Sequence, residues 1–469
     1  MPKQFTAADQ DRFAKLSGDF NPLHTDALAA RRLMFGDVVV HGVHLLLWAL
    51  DQHCEKDHSP RRLSSVHCVF ESGVRVGDLV DCSFEQDGPH QVQFRIRREG
   101  ELMARGRVSW EPGQATACEN VGEVPLPDRP CLSLDAETLT GASGEAPLSL
   151  DAALAERLFP RLTRCLPPQD LALLLTTTRI VGMECPGLHS VFSEMDVQFE
   201  GDPSYPAGPV RYRVARYDPR FRLASVAIEA PGASGELKAF LRPPPTPQPS
   251  AGSLAARVVA DEFADQRALV VGGSRGIGEV TAKLLGLGGA DVRLSYVRGH
   301  VEAAQVAQEI RDLGGRASPL YYDVLGSVDA LEVELDGWHP THVYFYATPF
   351  IFQGSRRRFS YELFLTFTAV YVDAFARLFE ALRARGLQGV VYPSSVAVDE
   401  HPLGMTEYVG AKQAGEALCA FLARTNKGIR FQVPRLPRLA TDQTATVLEV
   451  PTEDLVERVL RFLRPPDPE

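Results

Sequence analysis

Apolar and polar positions alternate with period two in four stretches near the start of the chain, 65–71, 78–85, 91–98 and 102–110, separated by glycine-containing turns. Period two with one apolar face predicts half-buried antiparallel strands. Ahead of them, residues 38–50 are apolar at helical spacing (Leu45, Leu46, Trp48, Ala49) after a His41-Gly42 start, which predicts one buried helix. Residues 150–242 repeat this order, with a helical run at 171–181 followed by strand-like stretches at 188–200, 210–216, 223–229 and 236–241. The chain therefore reads as a duplicated helix-and-sheet unit. After residue 257 the pattern changes. Short apolar strands at 268–272, 291–296, 318–322, 342–346 and 389–394 alternate with helices at 278–287, 301–313, 360–384 and 408–424. Alternating elements of this kind predict a doubly wound parallel sheet.

Two breaks divide these patterns. Residues 112–147 hold many Pro, Gly, Glu and Ser with little periodicity and read as a connector. The run Pro243-Pro244-Pro245-Thr246-Pro247-Gln248-Pro249-Ser250 cannot continue a sheet or a helix and predicts a stiff extended spacer. The expected division is 1–118, a connector 119–145, a second copy 146–242, a proline-rich linker 243–257, and an α/β domain 258–469.

Composition narrows the function. At 469 residues one core is too small for the whole chain, and the net charge of −11 disfavours a nucleic-acid partner. The basic triplet Arg356-Arg357-Arg358 reads as a solvated loop. Eight scattered cysteines form no Cys-x-x-Cys pair, so no metal site is expected, and their use suits a reducing cytoplasm. No window of 18 apolar residues and no apolar leader is present, so neither a membrane span nor secretion is expected.

Candidate chemistry lies in two places. The turn from Gly272 through Ser274, Arg275, Gly276 and Ile277 to Gly278 joins a predicted strand to a predicted helix, where phosphate oxygens approach backbone N–H groups that side chains would block. Arg275 and Arg298 put cations where a ribose 2′-phosphate would sit. No acidic residue ends the second strand, which favours NADP(H) over NAD(H). Tyr408 and Lys412 stand one helical turn apart, so an ammonium can stabilise a phenolate that must exchange a proton with a carbonyl oxygen. Ser395, thirteen residues upstream of Tyr408, can donate to the same oxygen.

On these residues, the region from about 265 to 466 resembles the short-chain dehydrogenase/reductase family. The resemblance implies a Rossmann-type fold, a catalytic trio of Ser395, Tyr408 and Lys412, an adenine contact at Asp323-Val324, and a nicotinamide-facing segment at 437–441. Two departures stand out. Tyr346-Ala347-Thr348-Pro349 replaces the family's Asn-Asn-Ala-Gly, and the helix asparagine that supports a proton-relay water falls at Tyr371. The short stretch 442–452 leaves little lid, which suits a bulky or carrier-borne substrate.

The second place is the loop Asp19-Phe20-Asn21-Pro22-Leu23-His24. A carboxylate and an imidazole on one rigid loop can hold water for addition to a 2-enoyl thioester, and Gly42 can offer its N–H to the thioester oxygen. With Gly18, Phe35-Gly36 and Val40-His41-Gly42, this phrase resembles the MaoC-like (R)-specific enoyl-CoA hydratases of the hot-dog fold over residues 4–112. Gly73 stands where proline is usual. The resemblance implies Asp19 and His24 as the catalytic dyad, Asn21 and Gly42 as substrate-binding residues, and 146–242 as a degenerate second hot-dog. His41 and His44 read as packing residues.

The combined expectation is an α+β double hot-dog followed by an α/β Rossmann-type domain. It would reduce 3-oxoacyl thioesters with NADPH and dehydrate the (R)-3-hydroxyacyl product, in fatty-acid or polyketide type metabolism. The substrate would be an acyl-CoA or acyl carrier protein thioester, and the resemblances imply a homo-oligomer. The alternatives are a hydratase with a non-catalytic cofactor-binding domain, a carrier-docking module, and a reductase for a non-acyl carbonyl such as a nucleotide sugar.

Overall fold

The computed structural model of the chain describes residues 2–54, 59–113, 121, 129–200, 208–448 and 450–464. The chain divides into two compact units, Met1–Pro244 with Thr446–Glu449, and Pro245–Ala445 with Val450–Glu469.

The first unit is built on a ten-stranded antiparallel sheet. Its first half holds β1 (Lys3–Gln4), α1 (Ala7–Ser17), the short α2 (Pro22–Thr25), α3 (Gly42–His53), and strands β2 (Arg61–Phe70), β3 (Leu79–Gln86), β4 (Gln91–Arg98) and β5 (Glu101–Pro112). Its second half holds β6 (Ser143–Ala146), α4 (Pro168–Arg179), β7 (Ser190–Phe199), β8 (Val210–Asp218), β9 (Leu223–Ala230) and β10 (Ala233–Leu241). The strand order is β1-β3-β4-β5-β2-β7-β10-β9-β8-β6. Each half thus reads first, third, fourth, fifth, second, and the halves meet where β2 pairs with β7. At that seam Val66 lies opposite Val197 and Cys68 opposite Met195, and all four are fully buried. The predicted alternation is visible in β4, which buries Val92, Phe94 and Ile96, and in β9, which buries Ala224, Val226 and Ile228. One apolar core runs through both halves and takes in Leu45–Leu47 of α3 and Leu171–Leu175 of α4.

Two features depart from the sequence reading. Residues 143–146, inside the expected connector, form the edge strand β6 against β8. Of its four residues only Ala146 is buried, so no alternation marks it in the sequence. Most of the rest of that connector, 114–120 and 122–128, lies outside the described residues. The helix expected at 171–181 ends at Arg179, and the chain continues through a π-helical turn, Ile180–Glu184.

The second unit carries a six-stranded parallel sheet of β11 (Arg267–Val271), β12 (Asp291–Tyr296), β13 (Arg316–Tyr321), β14 (His342–Phe345), β15 (Gly389–Val391) and β17 (Arg430–Gln432). Its order, β13-β12-β11-β14-β15-β17, reverses direction between β11 and β14. Such a switch point opens a crevice at the carboxyl ends of the strands. Residues 268–271 of β11 are fully buried, as a central parallel strand requires. The helices that cover the sheet include α5 (Gly276–Leu287), α6 (His300–Asp312), α7 (Val328–Leu335), α8 (Tyr361–Thr368), α9 (Phe375–Leu382), α10 (Thr406–Thr425) and α11 (Leu455–Leu463). Between α8 and α9 a π-helical turn, Ala369–Ala374, interrupts the single helix expected over 360–384. The strand expected at 389–394 is also divided. Pro393 has no N–H to give a ladder, and beyond it β16 (Ser394–Ser395) pairs instead with β18 (Arg435–Leu436). Among the described residues no helix is long and apolar enough to cross a membrane.

Candidate active sites

In the first unit the Asp19 loop is fixed at both ends by the local sequence. Thr6 and Asp9 form a capping box at the start of α1, and Gly18 ends the helix at φ 74° with its N–H donated to the Ala14 carbonyl. Three residues on, Asn21 caps α2: its Oδ1 accepts the Leu23 N–H at 3.1 Å, and Pro22 supplies a preset φ at the first helical position. Asp19 is 1% exposed. Its Oδ1 accepts the Asn21 N–H at 3.2 Å, and its Oδ2 accepts the Thr178 hydroxyl at 2.7 Å.

His24 donates from Nδ1 to the Val39 carbonyl at 2.7 Å, which leaves Nε2 as the basic nitrogen. Its ring stacks on His41 with centroids 3.9 Å apart. His41 is placed by Gln10, whose Oε1 accepts from both its N–H (3.1 Å) and its Nδ1 (3.0 Å), and its Nε2 lies 3.0 Å from the Asp19 carbonyl oxygen. One ligand atom each from Asp19, His24 and His41 fall within 4.8 Å of one another. Burial holds the His41 imidazole well below its ordinary pKa, so the neutral ring carries one N–H and donates to only one of its two acceptors, while Asp19 accepts at both oxygens. Burial dominates the electrostatics, raising the carboxyl pKa of Asp19 and lowering the imidazole pKa of His24, while the attraction between the two opposes both shifts. His44 is likewise buried, pushed down to about 3 by desolvation, and stacks on Phe13.

The second half of the sheet unit supports this loop. Thr178, at the end of α4, holds the carboxylate. Gly182, in the π-helical turn, faces Asp19 so closely that a Cβ there would sit 2.2 Å from Oδ1. Asn21 is 1% exposed, and its Nδ2 donates to the Gly182 carbonyl at 2.9 Å. With its Oδ1 also used, the Asn21 amide ties the loop down at both of its polar atoms. Arg242, 2% exposed, donates to the Leu188 carbonyl at 2.6 Å, and its charge also lowers the His24 pKa. Thr178, Gly182 and Arg242 were not anticipated from the sequence. The run Thr176-Thr177-Thr178-Arg179, polar yet continuous with the apolar 171–175, was the available signal. Gly42 opens α3 as its first residue, and a Cβ there would press on the Phe70 ring at 3.0 Å.

In the second unit the glycine turn lies between β11 and α5, at the switch point. Gly272 and Gly276 adopt positive φ, 83° and 59°, which glycine accepts without strain. A Cβ on Gly278 would lie 2.2 Å from the Gly272 carbonyl oxygen. The Ser295 hydroxyl accepts the Gly272 N–H at 2.9 Å. A turn stripped of Cβ atoms at the amino end of a twelve-residue helix fits a pyrophosphate. Ser274 is buried and Ile277 half-buried. Arg275 precedes α5 and pairs with Asp442 at 3.8 Å, while Arg298 is exposed beyond β12. Asp323 turns the chain after β13, accepting the Leu325 N–H at 3.0 Å, and Val324 beside it is buried. Thr441 lies against Gly276.

Tyr408 and Lys412 share one face of α10, and both are 7% exposed. Burial raises the phenol pKa to about 12, opposed by its hydrogen bond with Ser395. Burial also lowers the Lys412 pKa to about 7. The ammonium donates to the Pro393 carbonyl at 2.7 Å. The fold thus brings Ser395, Tyr408 and Lys412 together, as their spacing predicted.

Comparison with known proteins follows the same division. Residues 1–103 match the family model of the MaoC like domain, and residues 266–333 match that of the short chain dehydrogenase. The chain joins a MaoC-like domain to a short-chain dehydrogenase domain. Among solved structures, the chain is similar to a short chain dehydrogenase from Burkholderia cenocepacia J2315 in complex with NADP, at 25% identity over 43% of this chain and 91% of that one, with a TM-score of 0.39. A dehydrogenase/reductase from Sinorhizobium meliloti 1021 matches at 25% identity over 44% of this chain and 82% of its own, with a TM-score of 0.37. A 3-oxoacyl (acyl-carrier-protein) reductase from Agrobacterium tumefaciens C58 with NADP bound matches at 23% identity over 39% and 74%, with a TM-score of 0.36.

In the short-chain dehydrogenase domain, one family departure noted in the sequence lies against the helix that follows the glycine turn and the other against Lys412. Tyr346 accepts the Thr281 hydroxyl at 2.9 Å, and Tyr371 lies under Lys412 with its ring centroid 3.9 Å from Nζ.

Proposed function

We propose that this chain is a bifunctional acyl-thioester enzyme that reduces a 3-oxoacyl thioester with NADPH and dehydrates the resulting (R)-3-hydroxyacyl thioester. The observation that carries the reading is the presence, in one chain, of a buried Asp19–His24 pair and a separate Ser395–Tyr408–Lys412 trio. The repeated strand order of the first unit supports a double hot-dog in which residues 146–242 form the second copy. The NADP-bound neighbours and the exposed Arg298 support the 2′-phosphorylated cofactor.

Bound in the glycine turn, the dinucleotide supplies hydride to the substrate's C3. The chain's own groups do the rest. Ser395 donates a hydrogen bond to the 3-oxo oxygen, and Tyr408 gives that oxygen its proton. The Lys412 ammonium stabilises the phenolate left behind, a role it keeps only while protonated. In the other domain, Nε2 of His24 takes the C2 proton. Asp19 gives its proton to the departing C3 hydroxyl, which leaves as water. Gly42 offers its N–H to the thioester oxygen as enolate charge develops. Burial biases the pair toward neutral Asp19 and neutral His24, the form from which dehydration starts.

The test is to give the purified chain 3-oxoacyl and 2-enoyl thioesters of several lengths, on coenzyme A and on carrier protein. NADPH oxidation should fall about 10²–10⁴-fold in Tyr408→Phe, and enoyl hydration by a similar factor in Asp19→Asn. A Tyr408→Phe rate equal to wild type would eliminate reductase catalysis and leave a hydratase with a silent nucleotide domain. Unchanged hydration in Asp19→Asn, with carrier binding intact, would reduce the first unit to a docking module.

A further inference from the structure

We propose that Tyr371 is the positioning residue for Lys412, its ring face holding the ammonium while Thr348 locks its hydroxyl. The inference rests on the reductase reading and goes beyond it, because it explains how this site works without the asparagines that the family resemblance implies.

The two departures from the family pattern are not independent. Thr348, in the segment after β14, and Tyr371, in the π-helical turn between α8 and α9, hydrogen-bond to each other with oxygens 2.5 Å apart. The Thr348 hydroxyl already donates to the Pro349 carbonyl at 2.9 Å, so the phenol of Tyr371 is the donor in this pair. Tyr371 is fully buried, and burial holds its phenol well above its ordinary pKa, so it stays neutral. Its own carbonyl accepts the Tyr392 hydroxyl at 3.0 Å. Tyr392 fits there because Gly415 is bare: a Cβ on that residue would lie 1.9 Å from the Tyr392 oxygen. The result is a set of rings around one ammonium. Lys412 Nζ lies 3.9 Å from the Tyr371 centroid, 5.1 Å from that of Tyr392 and 5.9 Å from that of Tyr408.

The charged and titratable groups facing Lys412 leave this role to the rings. On its own helix, Glu416 and Cys419 lie below it. Glu416 is already claimed by Arg435 of β18, through bonds of 2.8 and 2.6 Å, and Arg435 also holds Asp399 at 2.5 Å. From the other elements packed on it come Tyr371, Tyr392 and the Pro393 carbonyl. A ring face attracts a desolvated cation but takes no proton from it. Tyr371 therefore stabilises the charged lysine without entering the proton transfer.

The expected consequence concerns the pH at which Lys412 loses its proton. Reduction should fall as pH rises through that point, near 7 in the wild type. The measurement is the titration of the Lys412 Cε resonance in full-length chain labelled with ¹³C-lysine, assigned by its loss in Lys412→Met. It needs no turnover. Tyr371→Phe keeps a ring face and should leave the midpoint in place. A pentafluorophenyl side chain at 371, which preserves shape but reverses the ring quadrupole, should lower it by about one pH unit. The falling limb of NADPH oxidation should move with it. Tyr371→Leu should act in the same direction, and the isosteric fluorinated ring decides the matter if the leucine variant folds poorly. Equal midpoints for the phenyl and pentafluorophenyl chains would overturn the inference while wild-type NADPH oxidation left the reductase reading standing. A wild type that turns over no 3-oxoacyl thioester would defeat that reading, and the resonance would still judge the role of Tyr371.

Discussion

The two halves of the ten-stranded unit share a strand order and little else. The first half carries the groups that can move protons, Asp19 and His24, on a loop closed by Gly18 and capped by Asn21. The second half has no such loop. Against the first half's loop it places a hydroxyl donor (Thr178) and a glycine (Gly182), while the buried guanidinium of Arg242 bonds within its own half and acts on His24 through its charge. A duplicated unit in which both copies did chemistry would need two exposed loops and two clefts. Here the second half forms the wall against which the first half's loop is held, through Thr178 and Gly182. The comparison teaches that a half without the Asp/His motif is more than packing when its side chains bond to the other half's loop.

The strongest way to break this division of labour is Gly182→Ala. A single methyl group would stand 2.2 Å from one Asp19 oxygen and 2.5 Å from the other, distances at which the carboxylate or the turn must move. A displacement near 1 Å of a reacting group costs about 10²-fold. Enoyl hydration in Gly182→Ala should fall by about that factor, while NADPH oxidation by the other unit stays at the wild-type rate. Undiminished hydration would show that the second half does not shape the site.

Thr178→Val is gentler and sharper. It keeps the shape and removes one donor from Asp19, a bond of 2.7 Å that stabilises the carboxylate as the acid gives up its proton. A hydrogen bond to a charged group contributes about 1.5–3 kcal/mol; at the lower end of that range, for a charge only partly developed, the rate should drop about tenfold. The pH dependence gives the sign. The hydroxyl favours the carboxylate and so lowers the Asp19 pKa, against the larger effect of burial that raises it. Without it that pKa rises further. Dehydration needs the protonated acid, so its alkaline limb should move to higher pH in Thr178→Val. A limb that stays put, or moves down, would separate Thr178 from the ionisation of Asp19.

How much of this was legible follows from which forces are local. The proximity of Asp19 to His24 and of Tyr408 to Lys412 was readable because it is fixed by spacing within one loop or one helical turn. Period two located the strands because each buries one face. The fracture of the strand expected at 389–394 was carried by Pro393, visible in the sequence but not weighed as a break in the ladder. What stayed hidden depends on contacts across long separations. Thr178 reaches Asp19 over 159 residues, and Tyr371, in the π-helical turn between α8 and α9, meets Thr348 from a different segment. No periodicity announces either meeting. Asn21 was read both as fixing the Asp19–His24 loop and, by resemblance, as a substrate ligand, and the hydrogen bonds bear on the first of these. Its amide is consumed by Leu23 and Gly182, partners that the motif alone does not reveal.

The smallest expected effect lies at the seam between the halves, and it sharpens the comparison by what it leaves unchanged. His67 of β2 and Asp196 of β7 are cross-strand partners, with Nδ1 and a carboxylate oxygen 3.4 Å apart and side chains 43% and 49% exposed. A polar contact between side chains this exposed contributes at most about 1 kcal/mol. The seam instead rests on the backbone ladder and on the buried Val66, Cys68, Met195 and Val197 beneath it. His67→Gln should therefore shift the urea midpoint by less than the equivalent of about 0.5 kcal/mol and leave enoyl hydration at the wild-type rate. A larger loss of stability, or any loss of hydratase activity, would mean that the polar face of the seam helps to hold the second half against the Asp19 loop. The division between a chemical half and a supporting half would then extend to the surface of the sheet.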